Sequence, residues 1–264
     1  MADIRRDEIT AILRRQIEQL DADLDMEEVG VVVEVGDGIA RVYGLRSALA
    51  SELLRFPGEI QGLVLDLQED SVGVALLGPD TEIKEGDEVR RTGKILSTPV
   101  GRGFLGRVVD PLGRPLDGDP PVEPEAHRDT DAKAPGVIKR QPVDTPVQTG
   151  LKCVDALTPI GRGQRELIIG DRRTGKTALA VDTIINQRGK DLVCVYVAIG
   201  QKSSTIAKAV DALRRYEGLD HTVVIAAPAE SPTPLQYIAP YAGCALGEHF
   251  RDKGQNALVV YDDL

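Results

Sequence analysis

The sequence predicts an all-β part followed by an α/β part: an amino-terminal helix, a small β-barrel, then a parallel sheet carrying a phosphate-binding loop. Three observations predict it. Residues 3 to 25 place Ile9, Leu13, Ile17, Leu20 and Leu24 three and four apart, the spacing of one apolar helical stripe. Residues 28 to 95 hold short β-branched runs split by Gly-Asp, Pro-Gly, Glu-Asp and Pro-Asp, the rhythm of a small barrel. Beyond about residue 150, apolar strand runs alternate with helical stretches, which implies parallel strands joined by crossovers. With 264 residues and 42% hydrophobic content the chain has room for about two domains besides the helix, and the boundaries fall at 1–25, 26–95 and 96–264.

Taken in order, the first helix needs something to cover its stripe, either its own domain or another chain. Barrel strands are expected at Val29 to Val35, Ile39 to Val42, Gly62 to Leu67, Val72 to Leu77 and Glu88 to Arg91. Asp37-Gly38 between the first two reads as a primed hairpin turn. Nothing there supplies a nucleophile or a ligand cluster, so the barrel reads as structural, a collar joining neighbouring subunits. From Leu96 to about Gly150 turn formers dominate, as in Pro111-Leu112-Gly113-Arg114-Pro115; a connection this long wraps over another surface or is functional. Strands then follow at 167–169, 192–199, 223–227 and 257–261, alternating with helices from 176, near 204–216 and near 235–251. The first of those helices has Leu179, Ile184 and Ile185 for its apolar face. In such a sheet the ligand belongs at the carboxyl ends of the strands.

The chemistry sits there. Gly170-Asp171-Arg172-Arg173-Thr174-Gly175-Lys176-Thr177 fits G-x-x-x-x-G-K-[ST] and follows the apolar run Leu167-Ile168-Ile169. A strand that enters such a turn aims backbone N–H groups at an anion, and the next helix adds the positive end of its dipole. Lys176 would reach terminal phosphates, the Thr177 hydroxyl would ligate magnesium, and Ala178 would offer its backbone N–H. The alternative is a ligand-free strand-to-helix turn. Ala257-Leu258-Val259-Val260-Tyr261 ends in Asp262-Asp263, a Walker B pattern in which Asp262 serves the metal through its water shell and Asp263 stands by. A solvated acidic strand end is the bland reading of the same residues.

Composition closes off other classes. A net charge of -10 argues against a dedicated nucleic-acid surface, and the aromatic fraction of 3% with no Trp leaves no stacking platform for single strands. No apolar run approaches about 18 residues, and the acidic start Met-Ala-Asp-Ile-Arg-Arg-Asp-Glu resembles neither a secretory signal nor a transit peptide, so a cytosolic compartment is expected. Cys153, Cys194 and Cys244 lack any metal-ligand spacing and are expected to be buried thiols. His127, His221 and His249 are isolated and receive no chemistry.

With loop, acidic strand end and upstream barrel in place, the chain resembles the alpha subunits of F-type ATP synthases. The motifs run in the family's order: Phe56-Pro57-Gly58, Gly106-Arg107-Val108-Val109-Asp110-Pro111-Leu112-Gly113, Gln148-Thr149-Gly150, Pro159 through Arg172, Ala198-Ile199-Gly200-Gln201-Lys202, and Val260-Tyr261-Asp262-Asp263-Leu264. The resemblance implies a RecA-like nucleotide domain that binds ATP or ADP with Mg2+. It also implies an alternating hexamer with catalytic beta subunits around a central-stalk gamma subunit, driven by proton flow through a membrane sector. The amino-terminal helix would meet the delta subunit, and the chain would be a peripheral protein on the cytoplasmic face of a bacterial plasma membrane.

Beta subunits carry Glu where this chain has Gln201. A carboxylate can orient and accept from an attacking water, whereas a neutral amide is a much poorer base, so the resemblance implies a nucleotide-binding, non-catalytic, regulatory subunit. An ordinary surface glutamine is the alternative. Arg173 stands where family members commonly have Gln, adding a second cation beside Arg172 that either strengthens phosphate attraction or disturbs the base side of the nucleotide. Alpha subunits continue for roughly as many residues again, so the sheet is expected to be truncated here, without the adenine-enclosing segments, the arginine given to the neighbouring site and the carboxyl-terminal helical bundle.

Three rival readings remain open at this point. A catalytic rotary or secretion-export ATPase of the same fold would turn over ATP unaided. An RNA-translocating helicase ring would respond to polynucleotides, against the acidic balance. A plain assembly scaffold would have lost nucleotide altogether.

Overall fold

Six short strands close into an antiparallel barrel: β1 (Val29–Gly36), β2 (Ile39–Tyr43), β3 (Glu52–Arg55), β4 (Gln61–Leu67), β5 (Ser71–Leu76) and β6 (Glu88–Ile95), in the spatial order β1-β2-β5-β4-β3-β6. The computed structural model describes residues 28–263, and the helix expected over residues 1–25 lies outside them. Strand alternation builds the interior: in β2, Ala40 and Val42 are buried while Ile39, Arg41 and Tyr43 face out. They join Val32, Leu54, Phe56, Val64, Val72, Val74 and Val89 in one core. Asp37 (φ 52°) and Gly38 (φ 76°) both lie in the left-handed region, as a type I′ turn requires, and Gly36 pairs with Ile39 across it.

β3 is the strand that sequence reading left out. It opens on Glu52, whose side chain is fully buried and held from several sides. Arg91 donates to it through Nε (3.0 Å) and Nη2 (3.0 Å), and the N–H groups of Leu49 (2.9 Å) and Gly93 (3.0 Å) complete its partners. Burial raises the Glu52 pKa and the Arg91 and backbone hydrogen bonds lower it, with a net lowering. A charged residue facing inward erases the apolar alternation by which a strand is read.

The connector after the barrel contributes more structure than its turn formers suggest. β7 (Ser97–Val100) pairs antiparallel with β9 (Ala126–Asp129), and β8 (Val108–Val109) enters the main sheet. Asp110 Oδ1 accepts the N–H groups of Leu112 (2.9 Å) and Arg114 (2.7 Å), a side-chain turn that reverses the chain directly after β8. A small pair, β10 (Pro146–Val147) with β11 (Ile160–Gly161), brackets α1 (Lys152–Leu157).

The α/β part is a parallel sheet of order β14-β12-β13-β8, where β12 is Leu192–Ile199, β13 is Thr222–Ala227 and β14 is Asn256–Asp262. Helices α2 (Lys176–Ile185) and α3 (Ser203–Arg215) cover one face and α4 (Thr233–Asp252) the other. β12 is buried on both sides: Cys194, Tyr196 and Ala198 join the core under α2 and α3, while Val195 and Val197 join the core under α4. Hence its near-continuous apolar run. Gly243 lets α4 lie close to the sheet, since a Cβ there would stand 2.4 Å from Val197 Cγ2. Leu63, Leu77 and Leu96 pack with Leu235 and Ile238 of α4, tying barrel to sheet.

Two expectations are corrected and one holds in part. Leu167-Ile168-Ile169 forms no strand: Leu167 and Ile169 are 79% and 86% exposed, so the burial that would drive this run into the sheet is absent among the described residues. The apolar face expected on α2 is there in part: Ile184 is buried, Ile185 packs half-covered against the same core, Leu179 is half-covered, and Ala180, Val181 and Thr183 complete the buried side. Of the cysteines only Cys194 is buried, its thiol pushed up to about 12 by desolvation. Cys153 lies on the short, uncovered α1, and Cys244 faces out from α4. Among the described residues no helix is long and apolar enough to cross a membrane.

Candidate functional site

The loop Gly170 to Gly175 delivers the chain to the first turn of α2. Gly175 (φ 95°) takes the left-handed conformation at the helix start and Arg173 (φ 65°) takes it without being glycine, the kind of turn that points successive N–H groups to one side. Thr174 Oγ1 donates to the Asp171 carbonyl (2.8 Å). Lys176 Nζ bridges back to the carbonyls of Gly170 (2.6 Å) and Asp171 (2.7 Å). Arg172, Arg173, Gly175, Lys176, Thr177, Ala178 and Asp263 line an open concavity of about 340 Å³. Three cations and a helix amino terminus meet there, the arrangement that attracts an anion. The side chains of Asp171, Arg172 and Arg173 are exposed.

The second half of the site hangs from the strand ends. The parallel register sets Ala198 of β12 opposite Asp262 of β14, so the carboxylate rises at the carboxyl end of the sheet. Thr177 Oγ1, on the first turn of α2, donates to Asp262 Oδ2 (3.0 Å), with Oδ1 at 3.2 Å. Tyr196 donates its hydroxyl to Asp262 Oδ2 at 2.6 Å, within the range of charge-assisted O–H···O⁻ bonds. Burial first, then the Asp262 carboxylate, raise the Tyr196 pKa, while a hydrogen bond with Gln201 opposes them; the phenol stays protonated and remains a donor.

Gln201 follows the end of β12. Gly200 N–H donates to Ala227 O (2.8 Å) and Ala229 N–H donates to Gln201 O (2.9 Å), which turns the chain inward. The side chain is 7% exposed, and its Oε1 is buried without a hydrogen-bond partner. A buried acceptor of this kind calls for a donor such as a bound water. Gln201 is therefore no ordinary surface glutamine.

The residues fit a magnesium-nucleotide. Magnesium in such sites takes one or two carboxylates and completes its shell with phosphates and water. Here one carboxylate and one hydroxyl converge beside the cationic loop. Because Thr177 donates its proton to Asp262, its oxygen lone pairs stay available for a cation. Among the described residues no group of three or more His, Cys, Asp or Glu side chains forms an all-protein metal cage.

The structure thus gathers Lys176, Thr177, Ala178, Asp262 and Gln201 around the carboxyl ends of the strands. Two further residues bear on the site. Asp263, taken as a bystander, lines the concavity with φ 64°. Tyr196 went unremarked, although a tyrosine inside a run buried on both faces must find a partner for its hydroxyl, and that was the available signal.

Comparison with known proteins agrees with this fold. Residues 150–264 match the nucleotide-binding domain of the ATP synthase alpha/beta family, and residues 25–93 match the beta-barrel domain of the same family. The ATP synthase subunit alpha of Dehalococcoides mccartyi is 58% identical over 260 residues, which is 98% of this chain and 52% of that relative. The chain spans about half the length of that relative. On these matches, and on the barrel and sheet described above, the chain belongs to the ATP synthase alpha/beta family.

Proposed function

We propose that this chain acts as the regulatory, non-catalytic nucleotide-binding alpha subunit of a proton-translocating F-type ATP synthase. The observation that carries the reading is the neutral, buried Gln201 just past the end of β12, the strand whose Tyr196 bonds Asp262, in a loop-and-strand site that is otherwise furnished for a triphosphate. In this reading Gly170 through Ala178 cradle the phosphates of ATP or ADP, with Lys176 exchanging its loop carbonyls for phosphate oxygens. Thr177 and Asp262 hold Mg2+, which neutralises phosphate charge when bound. Gln201 accepts a hydrogen bond from ordered water but cannot take its proton at any useful rate. The site therefore keeps nucleotide rather than consuming it.

As partners we infer catalytic beta subunits in an alternating hexamer, a central-stalk gamma subunit, and a delta subunit at the amino terminus. The chain would sit peripherally at the cytoplasmic face of a membrane. Equilibrium binding of Mg-ATP tests the reading: one tight site per chain, weakened about 10- to 100-fold in Lys176→Ala, is expected. Absence of binding would leave only the scaffold reading, and polynucleotide-stimulated hydrolysis would favour the helicase.

A further inference from the structure

We propose that Tyr196 is a positioning residue for the metal side of this site: its buried hydroxyl fixes the Asp262 carboxylate, and through it Thr177, in the pose that receives a divalent cation. The inference rests on the nucleotide-binding reading above and deepens it. Tyr196 is completely buried in the middle of β12, so its ring is fixed by packing rather than by the site. Its hydroxyl lies 2.6 Å from Asp262 Oδ2, the same oxygen to which Thr177 donates at 3.0 Å. Two hydroxyl donors on one carboxylate oxygen leave Oδ1 as the freer acceptor, with only the 3.2 Å approach of Thr177. Among the described residues the strand that Asp262 ends pairs with β12, and Tyr196 holds the Asp262 carboxylate from within the core of that neighbouring strand.

Outer partners of metal ligands are worth about 10-fold or more in metal affinity. In the full chain, Tyr196→Phe keeps the ring and removes only the hydroxyl. It is expected to weaken Mg-ATP binding about 10-fold while leaving ATP binding in EDTA within about twofold of wild type, since the cations and backbone N–H groups of the loop are untouched. In an Asp262→Asn background the same substitution should add nothing. Equal loss with and without Mg2+, or no loss in either, would overturn the inference while sparing the nucleotide reading. Failure of the wild type to bind ATP at all would overturn both. Should the Phe variant not fold, near-ultraviolet difference spectra of the wild type carry the test: Mg2+ added to the ATP-loaded chain must perturb a buried tyrosine, and an unchanged spectrum contradicts the proposal.

Discussion

The barrel and the sheet solve the same problem in opposite ways. In the barrel every strand has two neighbours and the ring closes, which leaves no free edge. Among the described residues the sheet is open, with β14 and β8 at its edges, and its loop arrives through residues 164–171, which carry no regular structure. The barrel spends its one buried carboxylate, Glu52, on structure, fully hydrogen-bonded to Arg91 and two backbone amides. The sheet keeps polar groups at its strand ends only partly satisfied, as at Gln201 Oε1. Satisfied polarity gives rigidity, and unsatisfied polarity marks where a ligand is expected.

The largest effect should come from breaking the barrel's satisfied cluster. Glu52→Ala leaves Arg91 Nε and Nη2 and two N–H groups without their acceptor, Nη1 alone keeping Glu28, and is expected to destabilise the chain by about 3 kcal/mol, read as a lowered denaturant midpoint, with nucleotide affinity unaffected. The same carboxylate gives a pH dependence. Its folded pKa lies below the ordinary 4.5, so its contribution is present above that value and fades as pH falls from about 4.5 through the folded pKa. Stability that stayed flat across that acid range, or rose, would contradict the assignment.

The next effect tests the close seat of α4 on the sheet. Gly243→Ala sets a Cβ at 2.4 Å from Val197 Cγ2, and overpacking of this kind costs about 1–3 kcal/mol, measurable by thermal melting. On the functional side, Lys176→Ala removes a charged donor and should weaken ATP binding by about 10- to 100-fold with the melting curve unchanged, because its apo partners are two exposed loop carbonyls. The smallest effect belongs to Arg173→Gln: the side chain is exposed and exposed charges contribute about 0.2–1 kcal/mol, so ATP affinity should shift by less than about fivefold, more weakly in high salt.

Legibility in the sequence followed the same division. Asp37-Gly38, the β-branched barrel runs and the three apolar strands 192–199, 223–227 and 257–261 were readable because local chemistry and burial agree there. The loop and Asp262 stand out as motifs, and the fold joins them through Thr177 Oγ1 and Asp262. What was missed depends on long-range partners. β3 hides behind Glu52, whose burial makes sense only with Arg91 in place, 39 residues on. β8 is two residues long and is a strand only because β13 lies beside it. Leu167 to Ile169 shows the reverse, a run with strand composition that stays outside the sheet. Tyr196 reaches Asp262 through the β12–β14 register, which no local pattern encodes.

The central claim, that the site retains nucleotide because a neutral Gln201 stands at the end of β12, is tested most directly by loading the chain with Mg-ATP labelled at the terminal phosphate and following phosphate release. The account predicts that bound ATP remains intact, with less than one phosphate released per chain during prolonged incubation. Repeated release from the chain alone, cycle after cycle, would contradict it.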